Sequence, residues 1–295
     1  MWWVPVTVAA ATFQILRTSR QHLLRDALDL NAAGYVRYLF AFPVAATALV
    51  VTAVAADGVP VPPLRFWPII TAAGLAQIGG TLALLHAFRL RDFAIGTVFA
   101  KSEVLQVVVV SAVVLGEPLT PAGVVGAVVV LVGVVVLAAP GQAGTVARRV
   151  GDPAAWAGAA AGAGFALAAV GIRAASGTLG DGPAWPRAVV TLTAMLAVQT
   201  LVNGVQLLVT DRPGLVAIGR VWRRALVVGV LSAAGSAGWA LAVTLTNAAK
   251  VRTLGQVELL LAFAISLRWG ERHRPIEYAA SALVAVGIVT VTWFG

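Results

Sequence analysis

Apolar stretches of membrane-crossing length recur from one end of this 295-residue chain to the other, and they constrain it more than any motif does. A run of about 20 apolar residues crosses a bilayer as a helix. In hydrocarbon every backbone donor and acceptor must be satisfied inside a helix or a closed barrel. The runs here are continuous rather than alternating with period two, so they read as helices. Ten spans are expected, at about 3–23, 34–56, 66–88, 94–115, 121–139, 154–174, 185–209, 221–246, 249–269 and 275–294. Breakers sit between them, among them Pro60, Pro118, Pro140, Pro183 and Pro213. Most tryptophans fall near span ends, as an interfacial belt requires, while Trp239 lies well inside the eighth span.

The composition narrows the function classes. Hydrophobic residues make up 60% of the chain and charged residues 11%, with a mean hydropathy of +0.91. A soluble domain is about 45–50% apolar and 25% charged. The net charge of +9 is not read as a nucleic-acid surface, because the basic residues sit in short connections between spans. Connections after odd-numbered spans hold fifteen of them and connections after even-numbered spans hold five, which puts the odd connections in the cytoplasm and both termini outside. Without cysteine there are no disulfides, thiolate metal sites or cysteine nucleophiles. His22, His86 and His273 form no metal-ligand spacing, and neither a phosphate-binding glycine loop nor a nucleophile elbow is present. No enzyme, metal or cofactor is expected. No cleavable leader is evident at the start, so the first span is expected to remain in the mature chain.

The chain is internally repeated. Its longest hydrophilic connection, 141–152, carries Arg148 and Arg149 and separates a first five-span repeat, 1–140, from a second, 153–295. A shift of 154 residues lays Gly116-Glu117 on Gly270-Glu271, Pro121 on Pro275 and Gly133 on Gly287. An odd number of spans per repeat forces the second to enter the membrane in the opposite sense. The expected fold is therefore all-α and integral to the membrane, with ten transmembrane helices as two five-helix inverted-topology repeats. In transporters of that plan the site lies near the midplane, at the repeat interface.

Ionisable groups inside spans mark candidate sites, because each costs about 2.5–3.5 kcal/mol at a helix centre on insertion scales. Lys101 and Glu103 lie in the fourth span, and Glu258 lies in its echo. Lys101 and Glu103 are two residues apart, so they point to nearly opposite faces and are not expected to pair. Glu103 is read as binding a proton or a cationic group in alternation, or else as held by interhelical hydrogen bonds in a packing role. Lys101 is read either as an anion-binding group or as a side chain snorkelling to the interface. Gln14, Arg17, Thr18 and Gln21 form one polar stripe on the first span, where Arg17 is read either as an interfacial residue marking the cytoplasmic end or as a carboxylate-binding group. Gln77 accompanies Gly74, Gly79 and Gly80, a pattern for close helix approach. Trp239 is read as packing or as cavity lining. Glu117 and Glu271 are read as structural residues of tight turns. Glu258 sits one position past the equivalent of Glu103, about 100° further round a helix, so equal roles are not expected.

The run KSEVLQVVVVSAVVLGEPLTPAGVVGAVVVLVGVVVLAAPG resembles the repeat signature of EamA-type carriers in the drug/metabolite transporter superfamily. The matching residues are Glu103, Leu115-Gly116-Glu117, Gly126 and Gly133, with Trp269-Gly270-Glu271 and Gly287 in the second half. Arg37 is similar to the arginine that opens the family's second span. The resemblance implies a gradient-driven carrier in a bacterial inner membrane. It would export or exchange a small, amino-acid-like metabolite by alternating access, with coupling to protons one option. The lipid bilayer and a small-molecule substrate are the expected partners, nucleic acid is not, and a monomer or homodimer suffices. A lipid or lipid-linked sugar flippase on the same fold and a non-transporting membrane scaffold are the alternative readings. The family's better-known members place both termini in the cytoplasm, opposite to the charge count above.

Overall fold

A computed structural model describes residues 1–24, 26–90, 93–140, 144 and 148–295. Arg25 and Arg91 of the charge count, and half of the 141–152 connection, lie outside the described residues. Among the described residues the regular structure is all helix, with no strand. Fourteen helices are described: α1 (Trp3–His22), α2 (Leu30–Leu39), α3 (Ala41–Ala55), α4 (Phe66–Arg89), α5 (Phe93–Ala100), α6 (Glu103–Leu115), α7 (Pro121–Ala138), α8 (Pro153–Gly177), α9 (Ala184–Thr210), α10 (Arg212–Arg220), α11 (Trp222–Leu245), α12 (Ala248–Leu254), α13 (Val257–Arg268) and α14 (Pro275–Phe294).

Eight of the expected ten spans meet the length and apolarity of a membrane crossing among the described residues. The other two are α1 and the α12–α13 pair. α1 has the length, at 20 residues, but ends in the polar run Arg17-Thr18-Ser19-Arg20-Gln21-His22. The ninth span is interrupted at Gly255-Gln256, leaving pieces of 7 and 12 residues. The second span is kinked between α2 and α3. Pro43 has no N–H to offer the carbonyl of Leu39, where α2 ends.

Helix starts follow local chemistry. Thr120 accepts the Gly123 N–H (3.1 Å) before Pro121 at the first position of α7, and Asp29 accepts the Ala32 N–H (2.8 Å) before α2. α7 is valine-rich, a poor helix former in water. Hydrocarbon makes the helix obligatory, since its backbone groups have no other partners. α6 leaves Val109, Val113 and Val114 exposed on one side, a lipid-compatible face.

The chain divides into two compact units, Met1–Leu75 with Ile172–Leu245, and Ala76–Gly171 with Thr246–Gly295. Both draw helices from either side of the 141–152 connection, with the boundaries inside α4 and α8. In the first unit α1 packs antiparallel to α11. A Cβ built on Gly238 would lie 2.8 Å from the Ala10 Cβ, so these helices meet almost backbone to backbone. α2 and α3 pack on α9 and α11. In the second unit α7 packs antiparallel to α14, with Gly123 beside Gly295, Gly126 beside Gly287 and Gly133 beside Ala280. Small residues let the two backbones approach, the usual basis of helix association in lipid.

Gly116 and Gly270, equivalent under the 154-residue shift, both adopt left-handed backbone (φ 66° and 79°) just past α6 and α13. Nothing lies within 4 Å of a Cβ built on Gly116. Gly116→Ala is therefore expected to cost only the conformational term, about 1–2 kcal/mol. A lowered melting midpoint in detergent checks this. An unchanged midpoint would show that the turn tolerates a side chain.

Candidate functional site

Two helix breaks in the second unit build the site. The first falls at Lys101-Ser102 between α5 and α6, and the second at Gly255-Gln256 between α12 and α13. They are 154 residues apart, the same shift that lays Gly116-Glu117 on Gly270-Glu271. Both tighten the backbone in the same way. Ser102 N donates to Phe99 O (3.1 Å) and Val104 N to Lys101 O (3.2 Å); Gln256 N donates to Thr253 O (3.1 Å) and Glu258 N to Gly255 O (3.1 Å). α8 lies directly against the first break. A Cβ on Gly162 would lie 2.9 Å from Ala100 O and 3.0 Å from Glu103 N, leaving no room for a larger residue.

The charges at the two breaks are exchanged. Lys101 Nζ lies 2.8 Å from Glu258 Oε1 and also donates to Gln256 Oε1 at 3.2 Å. Arg252 Nε donates to Glu103 Oε1 at 2.6 Å, and its Nη2 closes on the same oxygen. Each cation belongs to the end of a short helix, α5 or α12. Each carboxylate lies in the first turn of the helix beyond the other break, α6 or α13. The macrodipoles favour this placement, since helix starts attract carboxylates and helix ends attract cations. Two cations face two carboxylates, so the cluster is neutral and tolerable among apolar side chains. Glu103 is the most enclosed member, at 6% exposure, whereas the Lys101 and Glu258 side chains keep 20% and 18%.

The surrounding polar groups hold the breaks. Gln106 Nε2 donates to Ser102 Oγ (3.0 Å) and to Ala159 O on α8 (3.2 Å). Asn247 Nδ2 donates to Glu117 O (2.7 Å) while its Oδ1 accepts the Ala249 N–H (2.7 Å), joining the start of α12 to the turn after α6. Among the described residues no group of three His, Cys, Asp or Glu is placed to hold a metal ion.

Of the residues singled out in the sequence, Lys101, Glu103 and Glu258 come together in one cluster. Lys101 and Glu103 do not pair with each other, and each takes a partner from the other half of the chain. The one-residue offset of Glu258 does not exclude it, because both carboxylates still fall in a first helical turn. Gln77 belongs to the same unit, half-buried on α4, with its carbonyl accepting the Thr81 hydroxyl (2.9 Å). Gln14, Arg17 and Trp239 belong to the first unit. There Trp239 Nε1 donates to Gln14 Oε1 (3.2 Å), so this tryptophan has a specific polar partner as well as a packing role. Arg17 Nη2 reaches Thr18 Oγ1 (3.4 Å) on its own helix, and the Arg37 guanidinium lies over the Tyr38 ring at 4.9 Å.

Arg252, Gln256 and Asn247 were not legible as site residues. Arg252 counts in the sequence as a connection arginine that sets topology. The available signal was the segment 250–258, where two cations and a carboxylate interrupt an otherwise apolar stretch.

No protein-family model and no curated protein matches the chain. Among solved structures, the crystal structure of another protein superposes with a TM-score of 0.71, covering 99% of this chain and 98% of its own, at 17% identity. At that identity the likeness establishes the fold alone, an all-helical arrangement shared along nearly the whole of both chains.

Proposed function

We propose that the chain is a gradient-driven secondary transporter of the EamA type, built from ten spans in two inverted repeats, 1–140 and 153–295. α1 and the α12–α13 pair supply the two spans beyond the eight apolar ones. The reading rests on one observation above all: two helix breaks at equivalent repeat positions, joined by exchanged ion pairs. The antiparallel pairing of the equivalent helices α7 and α14 supports the inversion. Broken helices in corresponding positions are where inverted-repeat transporters hold substrate and coupling ions.

In this reading the protein sits in a bacterial inner membrane with its termini outside. It exports or exchanges a small amino-acid-like solute, without a chemical step of its own. A ligand group or a proton arriving at Glu103 or Glu258 displaces its cation, loosens the tie between the two breaks, and lets them move separately. The charge cluster thus doubles as binding site and closure.

The test is transport by purified protein in liposomes, with amino acids supplied one at a time, with and without a pH gradient. Glu103→Gln keeps an oxygen for Arg252 but removes the titrating group. It is expected to abolish the pH dependence while leaving the protein folded. A pH dependence that survives the substitution would refute the coupling role of Glu103. No transport of any compound by the folded wild type would count against the carrier reading itself.

A further inference from the structure

The connection between α9 and α11 is a helix with two distinct faces. Its start is tied down, with Asp211 accepting the Gly214 N–H (2.9 Å) and Arg212 Nε donating to Leu208 O (2.9 Å). Ile218 is buried in a cluster with Leu24, Leu28, Ala32, Leu207 and Ala225, and Leu215, Ala217 and Val221 pack beside it. The apolar face of α10 is therefore already covered by the protein.

The opposite face carries Arg212, Val216 and Arg220 at i, i+4 and i+8, one stripe of an α-helix. All three are exposed, Val216 at 61%. The chain continues through exposed Trp222, Arg223 and Arg224, with the Arg223 guanidinium 5.5 Å from the centre of the Trp222 ring. Of the carboxylates in the adjoining connections, Asp29 and Asp211 are turned to backbone N–H groups as helix caps, and Asp26 is exposed, so four arginines outnumber it. The flanking helices α9 and α11 are both long and apolar enough to cross a membrane, so this stripe lies where the two crossings end.

We propose that the 212–224 segment is a docking surface for anionic phospholipid headgroups. Guanidinium forks match phosphodiester oxygens, and a basic stripe interleaved with valine and tryptophan suits the depth where headgroups meet acyl chains. A soluble acidic protein would account for the arginines but not for the exposed Val216 and Trp222 in line with the ends of two spans.

The test uses full-length, delipidated protein in detergent, with phosphatidylglycerol and phosphatidylcholine as the added lipids. Phosphatidylglycerol is expected to raise the melting midpoint by several degrees and phosphatidylcholine to leave it unmoved. The shift should vanish in R212Q/R220Q/R223Q/R224Q, persist in R148Q/R149Q, and shrink at high salt. Equal shifts from both lipids would overturn the proposal. So would a shift retained by the quadruple variant, or one reproduced by soluble glycerol phosphate. The salt dependence is read on the wild type, so it decides even if the quadruple variant folds poorly. None of these readouts depends on transport.

Discussion

Replacing Arg252 with leucine is expected to lower stability by about 3–5 kcal/mol, because the Glu103 carboxylate would be stranded. Glu103 is 6% exposed and takes the guanidinium through both Nε and Nη2. An isolated carboxylate in such surroundings has neither water nor a counter-charge to offset its desolvation. Removing both charges in R252L/E103L is expected to restore much of the loss, since no uncompensated charge then remains. The pair therefore contributes more to specifying how the two breaks meet than to net stability. Thermal unfolding of the two single variants and the double variant makes a double-mutant cycle that measures the coupling. Additive losses would show that Glu103 and Arg252 do not act as a pair. The more exposed Lys101–Glu258 pair is expected to give a smaller coupling, with water taking part of the burden.

Gly287→Leu is expected to have a comparably large effect through packing alone. A Cβ on Gly287 would lie 2.6 Å from Gly126 O and 2.8 Å from Val130 N, both backbone atoms of α7. Backbone cannot turn aside as a side chain does, so α7 and α14 would have to separate along the length of their contact. Overpacking costs about 1–3 kcal/mol in a core that can adjust and more where it cannot. Poor folding or a sharply lowered melting midpoint is the expected result. Gly79 is the control. It is exposed, with nothing within 4 Å of a Cβ, and Gly79→Ala is expected to be neutral or stabilising by up to about 1 kcal/mol. A Gly287→Leu protein that melts with the wild type would mean the two helices are not in contact.

Much of this was legible because membrane chains obey few rules. Apolar runs of crossing length have to be helices, and the breakers between them were placed within a few residues of the observed ends. The shift of 154 aligned Gly116 with Gly270, and both take the same left-handed turn. Lys101, Glu103 and Glu258 stood out because charge within apolar sequence is costly. The interruptions at 101–102 and 255–256 were not legible. Charged residues flank both, but neither contains a proline that would force a break. The kink at Pro43, which does have a local cause, could have been read from the missing N–H.

Pairing lay further out of reach. Lys101 meets Glu258 across 157 residues and Arg252 meets Glu103 across 149, and nothing local in the chain encodes which cation takes which carboxylate. Nor does the sequence distinguish Arg252, which enters the cluster, from Lys250 two residues earlier. The amino-acid sequence by itself determined that this chain is helical and apolar enough to be embedded in a membrane. These properties depend on residue type and spacing alone. Tertiary structure decided how the charges are neutralised and which glycines bring backbones together. It also set which arginines are left on the surface, because those depend on the approach of segments about 150 residues apart.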